Sequence, residues 1–288
     1  SDAFDPTSGR APPAAGEAAP PPPGPAASTT GSTTGPAPDP VVREQLMKIA
    51  REKVFFAHQS VGANLIDGLE ALARANNVPL RVANVYTAGN VDTPGFGHVL
   101  IGENKKPLLK LTGFEQAMGS ASASVDIALV KFCYVDFDAT TDAKSLFAEY
   151  RATLERLRTR HPHTAFVPVT APLKRIDSGP KVVVMRLFGR PPAGVAENAK
   201  RDEFNALLRQ EYLGKLTIFD LARAESTGPD GREVSFEWQG RTVPALDAAY
   251  TDDGGHLNAA GRLHAAREMV RVLSSVAPAT APATGGRP

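Results

Sequence analysis

Three residues stand out as able to do nucleophilic chemistry together: Ser60, Asp253 and His256. Ser60 follows the apolar run Val54-Phe55-Phe56-Ala57 and the break His58-Gln59, and Leu65, Leu69 and Leu72 then recur at helical spacing. A buried strand therefore turns into a helix at a serine. In open α/β sheets, ligands bind outside the carboxyl ends of the strands. A helix start adds free N–H groups and a positive dipole end that favour a developing oxyanion. Taken alone, Ser60 reads equally as a helix N-cap, a role for which serine is preferred.

Almost two hundred residues later stands Thr251-Asp252-Asp253-Gly254-Gly255-His256, just before the last apolar-periodic segment. The two glycines let the backbone fold tightly, so both side chains can face one cleft. A carboxylate there can hold one imidazole nitrogen, fix the tautomer and leave the other nitrogen as a base. The plainer alternative is a glycine turn with a solvated histidine and an aspartate capping the helix.

Other chemistries are open on the same residues. His58, Asp252, Asp253 and His256 supply ligand types suited to zinc or iron, though without a tight spacing such as HExxH. The one cysteine, Cys133, can be a nucleophile beside His256 or a small buried hydrophobe. It excludes an intrachain disulfide. Lys174, Arg175, Lys181, Arg186 and Arg190 make one loop basic, which reads as solvated surface or as a contact for an acidic substrate. His98, His161, His163 and His264 have no partner visible in the sequence.

The elements that must position these residues lie in one domain, residues 41–276. Helical patterns cover 41–51, 143–160, 195–213 and the segment carrying Leu263, Ala266, Val270 and Leu273. Strands are expected at 54–57, 80–86, 125–132, 164–169 and 216–221, with a short helix at 114–118. Residues 91–110, rich in glycine and proline, read as a long surface loop. Val234–Trp238 and Arg241–Val243 read as a hairpin. Alternation of strand and helix argues for a parallel sheet of about five strands with helices on both faces.

Residues 1–40 hold 11 of the 25 prolines and almost no large apolar side chains. They are expected to be a disordered tether, and residues 277–288 a similar tail. With the absence of an initial methionine, this suggests a removed leader and an exported protein, periplasmic, lipoprotein-tethered or extracellular. A formal net charge of +1 in 288 residues gives no electrostatic footprint for nucleic acid. No apolar run reaches the length of a membrane span.

The serine after the first strand and the Asp-x-x-His before the last helix resemble the SGNH (GDSL-type) hydrolases, over roughly 53–273. The resemblance implies a three-layer α/β/α flavodoxin-like fold and no metal or other cofactor. It implies Ser60 as nucleophile, His256 as base and Asp253 as its orienter, with the N–H groups of Ser60 and Gly89 as oxyanion donors. Two departures stand out: His58-Gln59 replaces the family's Gly-Asp before the serine, and Val135, in Cys133-Tyr134-Val135-Asp136, stands where the family's third block has an oxyanion-binding Asn. Asn104 and Gln59 are candidate replacements. Gln59 and Tyr134 are expected to line the substrate pocket. The activity implied is hydrolysis of an acyl ester, short-chain or acetyl, of a carbohydrate or small molecule. The alternatives are an O-acyltransferase acting on a glycan and a silent glycan-binding module.

Overall fold

The computed structural model describes residues 37–120, 125–177 and 192–277. The expectations for 1–36 and 278–288, and for Lys181, Arg186 and Arg190, lie outside them. Five parallel strands form the sheet: β1 (Lys53–His58), β2 (Val82–Asn84), β3 (Gly95–Leu100), β4 (Ile127–Val130) and β5 (Ala165–Phe166), in the order β2-β3-β1-β4-β5. Seven helices follow in chain order among the described residues. They are α1 (Pro40–Ile49), α2 (Ser60–Ala75), α3 (Pro107–Met118), α4 (Ala143–Arg160), α5 (Val195–Tyr212), α6 (Leu221–Ser226) and α7 (Ala259–Ser274). A separate antiparallel hairpin, β6 (Ser235–Trp238) and β7 (Arg241–Pro244), lies near the end.

The apolar run of β1 explains the layers. Its side chains alternate between faces, and every one from Val54 to Ala57 is buried. Val54 and Phe56 join Leu46 of α1, Leu65 and Leu69 of α2 and Val270 of α7 in one core. Phe55 and Ala57 join Phe114 of α3, Tyr150 of α4 and Phe204 of α5 in the other. A strand buried on both faces reads as a continuous hydrophobic run because helices cover both sides. The architecture is thus three-layer α/β/α around a five-stranded parallel sheet.

Four of the expected strands are present, as β1, β2, β4 and β5, but the fifth is not the one expected. Residues 91–110 are not a surface loop: they contain β3, which lies directly beside β1, with Lys53 opposite Gly95 and His58 opposite Leu100. Its glycines hide it from propensity, and they are needed there. A Cβ on Gly97 would lie 2.5 Å from Val91 Cγ2. Gly95 has φ +145 and a Cβ on it would lie 2.8 Å from the Arg81 carbonyl oxygen. Conversely, 216–221 adds no strand and makes only one parallel bridge, Val169 with Phe219. The expected helix at 114–118 starts earlier, at Pro107, a residue favoured in a first helical turn. Leu263 is 42% exposed and outside the core.

Candidate functional site

The loop before α7 closes on itself. Thr251 bridges to Leu257 in antiparallel fashion, and Gly254 N donates to Thr251 Oγ1 at 2.9 Å. Gly254 takes φ +86, a conformation costly for any side chain. Within this turn Asp253 Oδ1 accepts from the backbone N–H groups of Gly255 and His256, both at 2.8 Å. Its Oδ2 pairs with His256 Nδ1 at 2.7 Å. The His256 hydrogen bond, ahead of the backbone donors, holds the Asp253 carboxyl well below the usual carboxylate range. An ionised Asp253 accepts the Nδ1 proton and leaves Nε2 of a neutral His256 free to take another. The aspartate does not cap α7; Asn258 does, accepting from Gly261 N at 3.0 Å.

Tyr134, just past β4, is the neighbour of this pair. Its hydroxyl lies 3.5 Å from both ring nitrogens of His256, with the rings edge-on at 5.6 Å. Gly255 permits this: a Cβ there would sit 2.7 Å from the Tyr134 ring. Burial, then the nearby Asp253 charge, raises the phenol pKa, so the hydroxyl keeps its proton. Two guanidinium nitrogens of Arg201 grip the Tyr134 carbonyl at 2.7 and 3.0 Å.

Ser60 is the first residue of α2, not its cap. Gln59 occupies the N-cap position without a side-chain capping bond. The Gln59 amide instead donates to the carbonyls of Ile101 and Gly102, at 2.6 and 3.2 Å, so it braces the loop after β3. Before it, His58 is buried. Its Nδ1 meets Gln59 O at 2.8 Å and its Nε2 meets His98 Nδ1 at 3.1 Å. Since a carbonyl can only accept, His58 carries its proton on Nδ1 and accepts at Nε2 from His98. Burial pushes the His58 pKa down to about 3. Both His58 ring nitrogens are thus engaged by Gln59 and His98, and among the described residues no group of three or more ligand side chains could hold a metal.

What links the two halves is Asn64, four residues after Ser60 and so on the same face of α2. Its Oδ1 accepts from Leu257 N at 3.0 Å, one residue beyond His256. The half-buried Ser60 hydroxyl makes no hydrogen bond to His256. Gly89 lies in a short 3₁₀ turn, Ala88–Asn90, after the edge strand β2. β3, not β2, neighbours β1, and it is followed by Gly102, whose φ of +62 admits only glycine comfortably. Asn104 is exposed, and its Oδ1 accepts from Lys110 Nζ at 3.4 Å.

Sequence reading missed a buried support beneath this loop. Lys110 Nζ and Asp136 Oδ2 form a fully buried pair at 2.5 Å. Asp136 also accepts from Cys133 N at 2.6 Å and Lys105 N at 2.9 Å. The signal in the sequence was a lysine set within the apolar stretch Leu108-Leu109-Lys110-Leu111. Cys133 is fully buried, 3.9 Å from Lys131 Nζ.

A cavity of about 630 Å³ opens beside Asp253 and Gly254, with Tyr134, Lys174 and Arg201 on its wall. Another of about 650 Å³ lies between α5, α6 and α7, around Asp202, Arg209 and Asp220, and contains none of the site residues.

No protein-family model matches this sequence, and no curated protein does. Solved structures similar to it include a candidate platelet activating factor from Streptococcus pneumonia, at 14% identity and TM-score 0.46, covering 81% of this chain and 89% of that one. A candidate lipolytic protein of the G-D-S-L family from Desulfitobacterium hafniense DCB-2 has 9% identity and TM-score 0.42, with 76% and 99% covered. The periplasmic domain of a lipopolysaccharide acetyltransferase from Salmonella ser. Paratyphi A has 11% identity and TM-score 0.41, with 82% and 90% covered.

Proposed function

We propose that this protein is a serine hydrolase that cleaves acyl esters of a carbohydrate or small molecule. The observation that supports it most is the Asn64–Leu257 hydrogen bond, which ties the His256 turn to the helix face that begins with Ser60. His256, oriented by Asp253, takes the Ser60 hydroxyl proton as the oxygen attacks the ester carbonyl. The C–O bond to the alcohol then breaks, His256 returns the proton to the leaving alcohol, and water resolves the acyl-enzyme by the same steps.

Oxyanion donors are the N–H of Ser60, at the start of α2, and that of Gly102, at the end of the strand beside β1. Gly89 is a weaker candidate because β3 stands between its strand and β1. Val135 brings no side-chain donor. Loss of one such donor typically costs about 3 kcal/mol of transition-state stabilisation, so modest turnover is expected unless the Gln59 amide leaves its two carbonyls to serve. The test is hydrolysis of p-nitrophenyl acetate and butyrate by the native chain and Ser60→Ala. Turnover that survives unchanged in the variant overturns the reading. If acetyl appears on an added sugar instead of in water, the same site is an O-acyltransferase.

A further inference from the structure

We propose that the cavity beside Asp253 is an anion subsite, in which Lys174 and Lys105 receive a carboxylate or phosphate on the alcohol part of the ester. This rests on the hydrolase reading above. The cavity wall holds cationic donors that nothing else among the described residues uses. Most carboxylates on the cavity wall are engaged. Asp136 pairs with Lys110, Asp177 with Arg175 at 3.3 Å and Asp253 with His256. Asp138 accepts from Thr140 N and the hydroxyls of Thr140 and Thr141. Glu197 faces the charge of Arg201. The guanidinium of Arg201 is itself spent on the carbonyls of Tyr134 and Phe137 and on Asn198 Oδ1.

Two ammonium groups remain. Neither Lys105 Nζ nor Lys174 Nζ has a hydrogen bond or ion pair among the described residues. Lys174 is half-buried and its Nζ stands 5.5 Å from the centre of the Tyr134 ring, the same ring that touches His256. Its backbone is fixed on both sides, with Lys174 N donating to Asn198 Oδ1 and Lys174 O accepting from Asn198 Nδ2. A cation held over an aromatic face is stabilised without a carboxylate partner, and the N–H donors turned away from the ring remain open to a ligand. An anionic group entering beside His256 meets those donors and finds the wall carboxylates already occupied.

The wall carries four cations and five carboxylates, so its net field is weak. The subsite must therefore act by contact, not by long-range steering, and its effect belongs in KM.

The experiment compares three acetyl esters: O-acetyl-glucose, O-acetyl-glucuronate and O-acetyl-glucose 6-phosphate. The native protein is expected to favour an anionic ester over the neutral one by about tenfold in kcat/KM, through KM. Whichever anion gains more identifies the natural group as carboxylate or phosphate. Lys174→Gln should bring the ratio close to one, and Lys174→Arg should keep it. Ser60-dependent turnover with equal kcat/KM on all three esters overturns the subsite and leaves the hydrolase reading standing. A preference that survives in Lys174→Gln also overturns it. If no ester shows Ser60-dependent turnover, the hydrolase reading fails, and calorimetric titration with glucuronate and glucose 6-phosphate decides the subsite. Binding lost in Lys174→Gln supports it, and no binding to the native protein overturns it.

Discussion

The two halves of the candidate site are held by different means. The Asp253–His256 turn is largely self-contained: its internal hydrogen bonds run between residues two or three apart, and two contacts tie its backbone to the body of the domain, Leu257 N to Asn64 Oδ1 and Arg175 N to Gly254 O. The Ser60 turn is held from a distance. Gln59 leans on Ile101 and Gly102, that loop leans through Lys105 on Asp136, and Asp136 leans on Lys110. Beneath it, His58 leans on His98 of the neighbouring strand. A short-range turn keeps its geometry whenever its own residues are intact. A relayed one can be broken far from Ser60.

If both halves serve one reaction, the largest effects come from the reacting groups. Ser60→Ala and His256→Ala should each lower kcat on an activated ester by on the order of 10⁴-fold or more, and the double variant should do little worse, because such groups act as a unit. Asp253→Asn should cost on the order of 10³–10⁴-fold by favouring the wrong imidazole tautomer. Circular dichroism should show all four variants folded. Additive losses in the double variant would mean the two halves do not work together.

The relay predicts an asymmetry in stability. Lys110→Met leaves the Asp136 carboxylate buried and unpaired, which costs on the order of 3–5 kcal/mol, read as a fall in the urea midpoint. Lys110→Met with Asp136→Asn should recover part of it. Asn64→Ala, which strands the Leu257 N–H, should cost about 1–3 kcal/mol. It should lower kcat more than KM, since it loosens His256 relative to α2. A Lys110 variant of native stability would break the contrast between the halves.

The same contrast decides what could be read from the chain. Asp253-Gly254-Gly255-His256 carries its geometry in consecutive residues, so the Asp–His pairing was legible in the spacing. β1 and α2 were legible for a similar reason, their apolar runs matching period and burial. β3 was not: Gly95-Phe96-Gly97-His98 looks like a loop until Val91 and Arg81 are known to press against its glycines. The strand beside β1 was therefore missed, and with it Gly102, which follows that strand. The Lys110–Asp136 pair, joined across 26 residues, had no local signature beyond a lysine on a helix.

Protonation separates the halves by pH. His58 is buried neutral, with its pKa down to about 3 from an ordinary 6.5. The unfolded chain binds that proton first, so this group costs stability as pH falls below 6.5. Asp253 is held ionised below the ordinary 3.8, so its contribution is lost only as pH falls below that value. Glu225, pushed up to about 8 by burial, acts with the opposite sign. It binds its proton in the folded state first, and stability falls as pH rises from 4.5 through 8. Melting temperatures between pH 7 and 4 should therefore be read as differences between the native chain and His58→Asn, in which Glu225 cancels. The native chain should lose ground to the variant steadily below pH 6.5. A difference that stays flat down to pH 4 would mean that His58 gains a compensating partner on protonation, and the Ser60 side would be no more acid-sensitive than the Asp253 turn.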